Sequence, residues 1–190
     1  SWITVAWAAE GAVLVWVGFV LQSWRVRAFS LGVFAIAAFR LLVFDTPVEM
    51  QGFRLILNDR FPTFFVAIGA FYVGAYLYWR GRGRLEEWEE NVSLMLAGAA
   101  NLLTLWILSS EVIAYFDSRE LAAAGRLGAF QSGQDAENGK LLALTALWAI
   151  YAFGLLAVAL RTRSRLLRWA GLGLLAIPVL KLVFFDTFVV

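Results

Sequence analysis

Four ionisable residues interrupt stretches that are otherwise apolar: Glu10, Arg40, Glu111 and Lys181. Two acids and two bases in such places can pair across helices and cancel, or they can line a polar path for a solute. An isolated charge at the bilayer centre costs on the order of 3 kcal/mol or more, so they are not there by default. Asn101 adds an amide in the middle of another apolar stretch, suited to bonding a neighbouring helix or a ligand. Asp45, Asp117 and Asp186 each close such a stretch, where the negative end of a helix dipole disfavours a carboxylate. Asp45 and Asp117 are expected either to begin the next segment as turn or cap residues or to pair at the rim with Arg40, Lys181, Arg54 or Arg60. The chain contains no His and no Cys, which removes the usual neutral-pH base, the thiol nucleophile and most transition-metal ligands. Phosphate-binding loops, dinucleotide fingerprints, metalloprotease helices and serine elbows are absent as well. No cofactor, metal site or catalytic residue is therefore expected.

The elements that position these groups are transmembrane helices. Of the 190 residues 62% are hydrophobic and only 16% charged, against roughly 45 to 50% apolar in a soluble domain. A spanning helix needs about 20 mostly apolar residues. Phe61 to Trp79, Asn91 to Ser110 and Leu141 to Leu160 meet this without a charge, and Trp2 to Leu21, Ala28 to Phe44 and Trp169 to Phe185 meet it with one each. The expected fold is an all-α bundle of six spanning helices forming three hairpins, about 2–44, 61–116 and 141–185, in a single membrane domain.

The connections alternate in character. Gln22 to Arg27, Arg80 to Glu90 and Arg161 to Arg168 are short and rich in arginine, and the positive-inside rule puts them in the cytoplasm, with both ends of this segment outside. Trp24, Trp79, Trp88 and Trp169 cluster at the same ends, where indoles favour the headgroup layer. The opposite connections carry helix-start signals. Thr46-Pro47-Val48-Glu49 reads as a capping box, opening an amphipathic segment over about 46–58. Asp117-Ser118-Arg119-Glu120 reads as the start of a second, over about 118–130, and Gln131 to Gly139 as a flexible loop. Arg40 and Lys181 each precede an Asp by five residues, about 7.5 Å of depth. Glu111 lies at nearly that level and Glu10 about 12 Å below Trp2, so the four charges share the outer half of the bilayer. Depth favours Arg40 or Lys181 as the partner of Glu111. Small residues, among them Gly11, Gly18, Gly74 and Gly171, are expected where helices approach closely.

An internal repeat appears when the first and last hairpins are aligned without gaps at an offset of 141 residues. Trp7 then meets Trp148, Arg27 meets Arg168, Arg40 meets Lys181, and Phe44-Asp45-Thr46 meets Phe185-Asp186-Thr187. Equivalent points are four helices apart, so the repeats run in parallel. The run Leu144 to Ala152, continuing through Ser164-Arg165, Arg168, Gly171-Leu172 and Leu180-Lys181-Leu182 to Phe185-Asp186, resembles the signature of a large family of bacterial polytopic membrane proteins whose domain has no assigned function. Trp7 to Glu10 and Asn101 through Glu111 to Phe116 fit the same pattern. The resemblance implies a bacterial inner-membrane protein, of which these residues are a section of a longer helical array.

Three function classes fit the sequence, in this order of preference. In the first, a transport or ligand-binding module holds a small polar or charged solute at Glu10, Arg40, Asn101, Glu111 and Lys181. In the second, a structural or assembly subunit uses those charges only to pack helices. The third and least favoured is an envelope-modifying enzyme with Glu10, Glu111 or an outer Asp as base. The lipid bilayer is the expected partner throughout, with further helices of a longer chain or other copies beside it. A net charge of +2 argues against nucleic acid.

Overall fold

The computed structural model describes residues 2–47, 60–123, 129–162 and 171–176. Among them there is no strand, and five helices are long and apolar enough to cross a bilayer. These are α1 (Trp2–Val20), α2 (Trp24–Val43), α3 (Arg60–Arg80), α4 (Val92–Ala123) and α5 (Ala129–Thr162). Two single 3₁₀ turns, Arg82–Arg84 and Glu87–Glu89, lie between α3 and α4. The sixth expected span is described only over residues 171–176, which are helical. Lys181 and Asp186, the Thr46 capping box beyond Pro47, and residues 163–170 and 177–187 of the expected second copy of the repeat lie outside the described residues. The chain divides into two compact units, Ser1–Glu111 and Val112–Val190.

In the first unit α1 packs along both α2 and α3. The reversal between α1 and α2 is tight. Ser23 N–H donates to Gly18 O at 3.0 Å and Gln22 N–H to Phe19 O at 3.4 Å, the bond pair of a Schellman cap. Its left-handed position is filled by Gln22, at φ 51°, where glycine would be free of strain. The helices are apolar nearly all round, so fit selects their inward faces. Phe34 is 1% exposed and packs against Phe71 with ring centroids 4.6 Å apart and planes tilted by 55°. Its ring occupies a slot left by two missing side chains, because a Cβ on Gly11 would lie 3.3 Å from it and one on Gly74 3.1 Å. At Gly18 a Cβ would stand 2.5 Å from Arg27 Cγ, which sets how closely α1 approaches α2. Outward, Phe65, Met95 and Leu102 are each 70% exposed, surfaces suited to lipid and not to water.

In the second unit the structure departs from the sequence expectation. α4 does not stop at Asp117 but runs on to Ala123, and residues 131–139 belong to α5 and are not a loop. Ser118 Oγ donates back to Tyr115 O at 2.8 Å, as a hydroxyl inside a helix does, and caps nothing. Asp117 accepts a bond from Lys140 Nζ at 2.5 Å, which ties α4 to α5. Gly139 lets Phe116 approach, since a Cβ there would lie 3.0 Å from the ring. Glycine in a helix costs about 1 kcal/mol, and contacts with the adjoining helix outweigh that local preference. With 32 residues, α4 is about 48 Å long, longer than the roughly 30 Å hydrocarbon core.

Candidate functional site

The polar groups of the first unit gather at the two ends of its helices. At the end carrying the arginine-rich connections, Arg27 and Glu89 form a fork. Arg27 Nε donates to Glu89 Oε1 at 2.7 Å and its terminal nitrogen to Oε2 at 2.6 Å. The two side chains are 3% and 0% exposed. Glu89 is fixed from its own turn as well, because the Glu86 N–H donates to Oε2 at 2.9 Å. Ser30 Oγ and Tyr78 Oη donate to Arg27 O at 2.6 and 3.3 Å. Phe19 sits edge-on to Tyr78 and 5.0 Å from the guanidinium. One pair therefore joins α2 to the turn before α4, with α1 and α3 supplying the walls.

At the opposite end Arg60, the first residue of α3, donates to Glu111 Oε1 from Nε at 3.0 Å and from a terminal nitrogen at 2.6 Å. These side chains are 5% and 4% exposed. The other terminal nitrogen donates to Thr46 O at 2.9 Å. Thr46 Oγ1 donates to Leu41 O at 2.9 Å and accepts the Trp106 indole N–H at 3.1 Å, so its hydroxyl closes α2 and meets α4. Nearby, Arg40 Nε donates to Thr4 Oγ1 at 3.0 Å, and the Thr4 hydroxyl donates in turn to Asp45. The Arg40 guanidinium lies 5.4 Å from the Trp7 ring and 5.8 Å from that of Phe44, distances at which a cation is held by the ring quadrupole.

Of the residues singled out in the sequence, Arg40, Asp45 and Glu111 thus share one end of the unit, but not in the expected pairing. The partner of Glu111 is Arg60, while Arg40 reaches Asp45 through Thr4. Arg40 is also not the sole base of its helix, since Arg27 is buried in α2. Glu10 lies on the exposed face of α1. Asn101 Nδ2 donates to Ala97 O at 2.8 Å, one turn back in its own helix. Asp117 belongs to the second unit and neither starts a segment nor caps one.

Sequence reasoning missed Thr4, Arg27, Glu89, Trp106 and the full role of Arg60. A faint signal for Arg27 was available, because the expected repeat aligns it with Arg168. For Glu89 there was none, as it sits in a run of four acids around Trp88 that reads as a solvated turn.

Spanning-length apolar helices, lipid-suited outer faces and, among the described residues, charges buried as pairs define a multi-pass integral membrane protein. Within that class, the chain matches the family described as "Predicted membrane protein (DUF2339)" over residues 31–188 and belongs to it. No curated protein and no solved structure matches it. The family's domain has no known function, and the matched stretch takes in Arg40, Arg60, Glu89 and Glu111 but begins after Arg27.

Proposed function

We propose that residues 2–111 serve as a structural and assembly module of the membrane, in which buried charges lock helices into a single register. One observation carries this reading: among the described residues, every buried side-chain nitrogen or oxygen has a hydrogen-bond partner. A site kept for a solute would hold some of its polar groups toward an open cavity. A buried pair adds little net stability over apolar packing, and its value lies in penalising every alternative arrangement that strands a charge in lipid. On this reading the arginine-rich connections lie in the cytoplasm, and the exposed apolar faces meet lipid, further helices of a longer chain or other copies.

A second reading, a transport or ligand-binding module, draws support from Arg40 and Asp45, which are only half-buried and so stay within reach of a small charged solute. Glu111→Gln separates the two. Under the assembly reading it lowers the melting temperature in detergent by the equivalent of about 2 kcal/mol, the worth of a hydrogen bond to a charged group, and the exchange Arg60→Glu with Glu111→Arg recovers part of the loss. Unchanged stability together with lost uptake of small ions by proteoliposomes gives preference to the solute reading. Orientation is tested apart from this: a cysteine at Arg82 is expected to be labelled only from the cytoplasm and one at Gly133 only from outside, and labelling of both from one side refutes the assignment.

A further inference from the structure

At the arginine-rich end of the first unit, α1 and α3 leave a groove of about 700 Å³ between them, within the range of small-molecule sites. Its walls are apolar and aromatic, with Trp16 and Val20 from α1 and Tyr76 and Leu77 from α3. Its rim carries two guanidinium groups, Arg80 from the last turn of α3 and Arg84 from the 3₁₀ turn beyond. Both arginines are exposed. Arg80 is held over the groove by a bond to Tyr76 Oη at 3.2 Å, which uses one of its five donors. Among the described residues, the side chain of Arg84 has no hydrogen bond or ion pair.

We propose that this groove binds one anionic phospholipid, with an acyl chain along Trp16, Val20, Tyr76 and Leu77 and the phosphate between Arg80 and Arg84. Two observations select this occupant. The first is depth: Trp24, Trp79 and Trp88 lie at the same end, with Trp24 against Trp88 at 6.3 Å and Tyr76 against Trp79 at 6.0 Å, an aromatic belt at headgroup level. The second is the division of chemistry along the groove, apolar on the membrane side and cationic at its mouth, which matches the division within a phospholipid. The local backbone contributes little to anion binding. Gly81 N–H is bonded to Leu77 O and Arg84 N–H to Gly81 O, both at 2.9 Å, and the C-terminal end of α3 presents the negative pole of its dipole. Recognition of the phosphate therefore rests on the two guanidinium groups, which take phosphate oxygens in forked pairs.

The test is native mass spectrometry of the full chain, delipidated in detergent and titrated with phosphatidylglycerol or with phosphatidylcholine of the same acyl chains. One phosphatidylglycerol is expected to be retained per chain in preference to phosphatidylcholine. Arg80→Gln with Arg84→Gln is expected to lower that affinity roughly 10- to 30-fold, from about 1 kcal/mol per basic residue at a membrane surface. Arg25→Gln with Arg82→Gln removes the same charge outside the groove and is expected to change it little. An equal loss in both double variants, or no preference between the lipids, overturns the proposal. Retention of glycerol phosphate at the same two arginines, without the acyl chains, shows a site for soluble phosphate and overturns it too. Helical circular dichroism on each variant ensures that lost binding is read only from folded protein.

Discussion

The two ends of the first unit handle buried charge differently. At the arginine-rich end one carboxylate takes an arginine through both oxygens and a backbone N–H besides, and it is fully enclosed by aromatic and small residues. At the other end Arg60 directs two of its nitrogens to a single oxygen of Glu111. Beside it the Thr4 hydroxyl stands between Arg40 and Asp45, and the Thr46 hydroxyl bonds the Leu41 carbonyl. The first end is a closed clamp and the second a graded network that reaches toward the surface. Enclosure decides how much each pair matters. A charge stranded where nothing can move toward it loses more than one beside hydroxyls and half-exposed groups that can rearrange.

Glu89→Gln is expected to destabilise the unit by about 3 to 5 kcal/mol, because Arg27 keeps its charge without a counter-ion, and Arg27→Leu with Glu89→Leu should recover much of the loss. Thermal unfolding in detergent measures both. Glu111→Gln, at about 2 kcal/mol, is expected to rank below Glu89→Gln. If the order were reversed, the distinction between clamp and network would be wrong. The smallest effect sharpens the picture at the cap between α1 and α2. Gln22→Gly relieves a left-handed residue and should raise stability by about 0.5 to 1 kcal/mol, without altering how Glu89→Gln ranks against Glu111→Gln.

Membrane residence, helical content and the location of most spans were legible in the sequence. Those properties follow from composition and from runs of apolar residues long enough to cross a bilayer, which no later folding step can change. Depth along a helix is only a count of residues, so the sequence could rank its charged groups by depth but not by the face each occupies.

Which charges meet was left to the tertiary structure. Each residue turns a helix by about 100°, so pairing depends on rotation about the axis as much as on depth. In water, rotation is betrayed by a polar face. Here the outward face is as apolar as the inward one, and periodicity is silent. Rotation is instead chosen by steric fit, by Phe34 in the slot beside Gly11 and Gly74 and by Gly18 against Arg27. That fit carries Arg60 to Glu111 and turns Glu10 outward. The continuation of α4 past Asp117 has the same origin. Asp117 and Ser118 urge the chain to break there, but Lys140 on Asp117 and Phe116 against Gly139 are contacts between residues distant in sequence, and they exist only once the two helices have come together.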